Sequence, residues 1–199
     1  MITIDEIKCV KKAARGDDKA FETLVMHYQG QIYRLCFRMT GNADDAQDMT
    51  QETFLKAWKN LSTFQFDSAF STWLYRLASN CCLDLLRSMK RKPTVSLTAE
   101  TEDEDGEIID VADDAPTPEE EAIACEERED LRKALDLLDD EQRQILILRV
   151  VNDLSYTEIA EVLNVKEGTV KSRLSRAREQ LRKKLAEIGN KMKNPPSNQ

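Results

Sequence analysis

The stretch Leu154-Ser155-Tyr156-Thr157-Glu158-Ile159-Ala160-Glu161-Val162-Leu163-Asn164-Val165-Lys166-Glu167-Gly168-Thr169-Val170-Lys171-Ser172-Arg173-Leu174-Ser175-Arg176-Ala177-Arg178 decides the fold. Ser155 and Glu158 make the S-x-x-E pattern of a capping box, and Leu154 and Ile159 stand where a hydrophobic staple belongs. This predicts a short helix from about Tyr156 to Leu163. Asn164 follows at a turn where a positive φ is often required, and Asn tolerates one. A second helix starts near Lys166 to Thr169 and runs to about Ile188. Ala160, Asn164 and Val170 fall at the small, turn and core positions of a helix-turn-helix. Upstream, a helix Asp140–Val151 ends at a turn, Asn152-Asp153.

The second helix divides into two faces. Val170, Leu174, Ala177 and Leu181 recur at helical spacing and point inward, while Thr169, Lys171, Ser172, Ser175, Arg176 and Glu179 point outward. Short hydroxyls and long cations near a helix N-terminus suit the major groove of duplex DNA. Arg and Lys reach guanine edges or phosphates, and Ser and Thr bond either. The bland alternative is a solvated basic helix in a bundle, but caps, turn and faces agree on a DNA reader.

The charge of the whole chain points the other way. Its 199 residues carry a net charge of −8, which read as an average argues against nucleic acid. The charge is not evenly spread. Residues 1–92 are net +3, residues 93–130 net −15, and residues 131–199 net +4. The acidic segment starts at Pro93, and its core, Glu100 to Asp114, has few large apolar residues. It repels itself and buries little, so it reads as an extended, flexible linker. Helix resumes after Pro118, over Glu119 to Asp130. The linker is expected to cover the basic faces of the free protein. No run approaches the roughly 20 apolar residues of a membrane span, and the charged N-terminus lacks the apolar stretch of a signal peptide. The five cysteines form no C-x-x-C pair. With His27 the sole histidine, neither a metal site nor a cofactor motif is expected, and a cytoplasmic chain with reduced thiols is the default.

Gly and Pro are scarce in both basic blocks, and the apolar spacing is helical throughout, so the fold class is all-α: two small helical domains joined by the linker. Phe21, Leu24, Val25, Tyr28, Ile32, Leu35 and Met39 form one stripe, ended by Gly41-Asn42. Asn42 or Asp44 caps a second helix running to about Leu61. Its outer positions are Asp45, Asp48, Gln51, Glu52, Lys56 and Lys59, with Phe54 and Trp58 at core-like ones. The acidic start suits the helix dipole, and a protein-docking face is the sharper alternative. After a loop, Ser62 to Ala69, a third long helix starts near Ser71. Its apolar face includes Phe70, Trp73, Leu74, Leu77, Ala78, Cys81, Cys82, Leu85, Leu86 and Met89, and the adjacent cysteines read as inert core thiols. Its polar strip is Arg76, Ser79, Asn80, Leu83, Asp84 and Arg87. Seven of the 12 aromatics lie between Phe54 and Tyr75, among them Phe64 and Phe66. Aromatics interleaved with cations can stack unpaired bases, although Phe54, Phe70 and Trp73 also fit a core.

Two motifs carry a resemblance. Asp45-Ala46-Gln47-Asp48-Met49-Thr50-Gln51-Glu52-Thr53-Phe54-Leu55-Lys56-Ala57-Trp58 and Phe70-Ser71-Thr72-Trp73-Leu74-Tyr75-Arg76 with Asn80 resemble the extracytoplasmic-function (ECF) sigma factors, the RpoE/SigW-like group of the sigma-70 family. So do Leu154–Ala160 and Glu167–Arg178 at the other end. The resemblance implies a bacterial transcription initiation factor that catalyses nothing itself. Residues 1–92 would be sigma region 2 and residues 131–188 sigma region 4, with a disordered tail over 189–199. Asp45, Asp48, Gln51, Glu52 and Leu55 would dock on the clamp coiled coil of the core RNA polymerase β′ subunit. Phe64, Phe66, Arg76, Ser79, Asn80, Leu83 and Arg87 would bind the melted −10 element, with one base flipped into a pocket. Region 4 would rest on the β-flap and read the −35 duplex through Arg149, Thr169, Lys171, Ser172, Ser175 and Arg176. The family also implies an anti-sigma partner, often membrane-anchored. A stand-alone helix-turn-helix regulator explains residues 131–188 but leaves the N-terminal motifs idle. An enzyme lacks a phosphate loop, a metal cluster and a Ser/His/Asp set.

Overall fold

The computed structural model describes residues 5–91 and 129–193. Among them every regular element is helical. The acidic linker and most of the expected helix Glu119–Asp130 lie outside the described residues.

The first three helices each begin on a side-chain cap that the sequence supplies. Asp5 accepts from the Lys8 amide and starts α1, Glu6–Ala13. Asp17 accepts from the Ala20 amide at 3.1 Å and starts α2, Asp18–Thr40. Gly41 ends α2 at φ 72, a left-handed turn that glycine enters without strain. Asn42 accepts from the Asp45 amide at 2.9 Å and starts α3, Ala43–Asn60. A single 3-10 turn and a loop lead to α4, Phe70–Arg91. Leu24, Ile32, Leu35, Met39, Leu74 and Cys82 are fully buried where α2, α3 and α4 meet. Val10 and Ala13 tie α1 to this core, and Tyr28 donates from α2 to the Glu6 carboxylate. Cys36 and Cys82 are both buried inside it, and Lys56 donates to Cys81 at 3.4 Å.

The C-terminal bundle comprises helical residues 129–136 (α5), α6 (Asp140–Val150), α7 (Tyr156–Leu163) and α8 (Glu167–Lys193). The capping box forms as its pattern predicts: Ser155 Oγ accepts from the Glu158 amide at 3.2 Å, and the Ser155 amide donates back to Glu158 Oε2 at 2.8 Å. Asn164 takes φ 51, ψ 50. Leu154 and Ile159 are buried as a staple, with Val170, Leu174 and Ala177 beneath α8. The helix continues to Lys193, so residues 189–193 are helical and not part of a disordered tail. Exposed pairs one turn apart, Lys183 to Glu179 at 2.9 Å and Lys184 to Glu187 at 3.1 Å, support the late turns.

The two bundles share one apolar core, with α2 and α4 packed on α6 and α7. Arg143 is the clasp. Its guanidinium is 8 % exposed and donates to the carbonyls of Leu135, Asp136 and Met39, each at 3.0–3.1 Å. The Met39 bond crosses between bundles and uses a carbonyl left open at the end of α2. Beside it, Lys90 of α4 pairs with Asp140 of α6 at 2.7 Å.

Candidate nucleic-acid and protein-docking faces

Three faces gather the residues singled out from the sequence. The first lies on α8. Lys171, Ser172, Ser175 and Arg176 are exposed on one side, and Thr169 is half-buried at their edge. Ser172 Oγ donates to the Thr169 carbonyl at 3.0 Å. Lys171 pairs with Glu167 at 2.8 Å, and that carboxylate holds its ammonium above the usual lysine range. Arg149 is partly sheltered at the end of α6, where it donates to the Leu154 carbonyl at 2.8 Å and reaches Asp153 at 3.4 Å. Both carboxylates are exposed, so a phosphate can replace them as counter-charge.

The second face lies on α4 and the loop before it, and here the structure divides the expected set. Asn80 and Arg87 are exposed and Arg76 is half-buried. Ser79 and Leu83 are not on an open strip: they are 1 % and 9 % exposed. Tyr75, Ser79 and Leu83 recur every fourth residue and form one row. Tyr75 lies against Asn152 and Glu158 of the C-terminal bundle, and Leu83 lines a cleft of about 290 Å³ with Arg87, Lys90, Asp139, Asp140 and Glu141. The row is covered because α6 and α7 pack on it. Phe64 is likewise a core residue, 8 % exposed, with its ring centroid 5.1 Å from that of Trp73. Phe66 is 43 % exposed and sits at φ 61, a left-handed conformation costly for a bulky side chain. Its ring leans on Phe64 at 4.9 Å. Strain of this kind concentrates at working loops.

The third face runs between α2 and α3. Asp48, Gln51 and Leu55 are exposed on α3, with Asp45 and Glu52 half-buried. Burial and the neighbouring carboxylates of Asp48 and Asp44 push the Asp45 carboxyl above its ordinary range. Leu55 belongs to a groove of about 620 Å³ floored by Phe21, Val25, Phe54 and Trp58 and edged by Asp18, Glu22, Gln29 and Gln51. The sequence places Trp58 in a core. The structure leaves it 36 % exposed on the groove wall, its ring 4.8 Å from Phe21, because none of the described helices covers this side of α3. The groove's width and Arg143 were both missed from sequence. Phe21 and Val25 read as ordinary stripe residues, and nothing in the sequence singles out Arg143.

Comparison with known proteins places these faces in a family. Residues 24–92 match sigma-70 region 2, and residues 128–181 match sigma-70 region 4. The chain is 38 % identical to the ECF RNA polymerase sigma factor SigW of Bacillus subtilis, over 91 % of this chain and 97 % of that protein. Among solved structures it resembles CnrH bound to the cytosolic domain of CnrY, at a TM-score of 0.65 and 27 % identity, covering 92 % of this chain and 97 % of that one. It also resembles the sigma factor RpoE of Bartonella quintana in complex with the anti-sigma factor NepR, at a TM-score of 0.59 and 26 % identity, covering 84 % and 98 %. The chain therefore belongs to the extracytoplasmic-function sigma factors of the sigma-70 family.

Proposed function

We propose that the chain binds core RNA polymerase through the α2–α3 groove and directs it to promoters, with α8 reading the −35 element as duplex and α4 the −10 element as single strand. One observation carries this reading. The same chain holds an open helix-turn-helix face and, on its other bundle, an apolar groove edged by Asp18 and Glu22 that no described helix covers. A stand-alone DNA reader has no use for the second feature. Apolar floor and acidic rim suit a partner helix with apolar and basic side chains, as a polymerase clamp coiled coil would offer.

Asp48, Gln51, Glu52 and Leu55 are the contacts we assign to polymerase, with Asp45 supporting the start of α3. Ser172, Ser175 and Arg176 are the contacts we assign to base edges, with Lys171, Thr169 and Arg149 on the backbone. Phe66, Arg76, Asn80 and Arg87 serve the single strand. Ser79, Leu83 and Phe64 support that surface from beneath in the closed arrangement. The α6–α7 bundle covers part of it, so −10 reading requires the two bundles to part, and docking on polymerase supplies the energy. The anti-sigma complexes of the structural relatives point to a protein inhibitor for this chain too.

The test is transcription with purified core polymerase on promoter fragments. Transcripts that start at one site only when the chain is added support the reading. Binding to a palindrome with no dependence on polymerase favours the stand-alone regulator.

A further inference from the structure

Tyr156 is the first residue of α7, and two cations from other helices meet at its ring. The Arg149 guanidinium, from the end of α6, lies 5.5 Å from the ring centroid, and Lys171 Nζ, from the start of α8, lies 5.8 Å from it. A tyrosine face attracts cations at this range through its negative quadrupole. The ring is itself well fixed, because Ser155 and Glu158 of the capping box lock the first turn of α7. Each cation has further ties: Arg149 to the Leu154 carbonyl at 2.8 Å and to Asp153 at 3.4 Å, and Lys171 to Glu167 at 2.8 Å. Two flexible cations from separate helices are thus held near one point at the mouth of the helix-turn-helix, where they would otherwise repel each other.

We propose that Tyr156 is a positioning residue for promoter binding: its ring holds Arg149 and Lys171 as a pair toward the phosphate backbone bordering the −35 element. This rests on the −35 reading above. The work is done by the aromatic face and not by the hydroxyl. DNA phosphates replace the exposed Asp153 and Glu167 carboxylates as the counter-charge, while the ring keeps both cations in place during the exchange.

The test uses the full chain with core polymerase and a promoter duplex, measuring affinity across a series of salt concentrations. Tyr156→Phe keeps the ring face and should stay within about twofold of the wild type, whereas Tyr156→Leu should weaken binding roughly five- to thirtyfold. Releasing both phosphate contacts should also flatten the slope of log affinity against log salt by up to about 2 for Tyr156→Leu. A mere packing role would leave that slope unchanged. Helix content by circular dichroism checks the fold, and Tyr156→Met repeats the measurement should the leucine variant unfold. Equal losses for Tyr156→Phe and Tyr156→Leu would overturn the proposal in favour of a hydroxyl contact. An unchanged salt slope in Tyr156→Leu would overturn it as well. If the wild-type chain itself shows no promoter preference with polymerase, the −35 reading has failed at its root, and this inference with it.

Discussion

The outward face of α8 and the polar strip of α4 are built from the same kinds of side chain, short polar groups among cations, yet their settings differ. Lys171, Ser172, Ser175 and Arg176 stand in the open. On α4, Ser79 and Leu83 lie under α6 and α7, and Arg87 and Lys90 face Asp139, Asp140 and Glu141 across a narrow cleft. On the proposed function, the carboxylates that start α6 would stand where a phosphate backbone has to lie. Duplex reading would then need no rearrangement of its face, whereas single-strand reading would. The seam between bundles is suited to opening. Ser79 Oγ and Asn152 Oδ1 are buried there without partners, and each such atom costs about 1–3 kcal/mol. The Lys90–Asp140 pair is largely exposed on the lysine side, so it adds at most about 1 kcal/mol. Arg143 is the strongest single tie.

Five substitutions or deletions probe this contrast, from the largest expected effect to the smallest. Arg143→Ala strips a donor from three carbonyls and should lower folding stability by about 3 kcal/mol. A thermal melt reads that loss, and single-strand −10 binding by the free chain should rise alongside it. A melt that matches the wild type would remove Arg143 as the clasp. Arg176→Ala should weaken −35 recognition by about 1–3 kcal/mol, measured as promoter choice by the reconstituted holoenzyme, and Lys171→Ala should weaken binding to all promoters alike. If neither variant changes promoter choice or affinity, α8 does not present the reading face. Asn80→Ala should change preference at one −10 base in a binding series with every base varied; a uniform loss would assign Asn80 a structural part instead. Deleting Glu100–Asp114 should strengthen DNA binding by the free chain a few-fold at low salt and leave it unchanged at high salt, because such shielding is electrostatic. No response at low salt would leave α6 and α7, and not the linker, as the cover of the strip.

What could be read from the sequence follows the range of the forces involved. The capping box at Ser155 and Glu158, the left-handed Asn164 and the Gly41 stop are decided within a few residues, and each lies where its pattern predicts. The inward row Val170, Leu174 and Ala177 follows from the helical period alone. Ser79 was placed on a polar strip because its neighbours are polar. Its burial depends on a helix more than sixty residues later in the chain, which no local pattern announces. Trp58 fails in the opposite sense. An aromatic at a core-like position is expected inside, but exposure is set by whether another helix arrives to cover it, and among the described residues none does on that side of α3. The same holds for Arg143, whose fork matches three carbonyls contributed by two bundles.

The most direct test of the central claim compares binding of a single-stranded −10 oligonucleotide to the free chain and to the chain on core polymerase, with a −35 duplex as the internal reference. The account predicts that polymerase strengthens −10 binding at least tenfold and makes it sequence-dependent, while −35 binding gains far less. Equal gains on both DNAs, or tight −10 binding by the free chain, would contradict it.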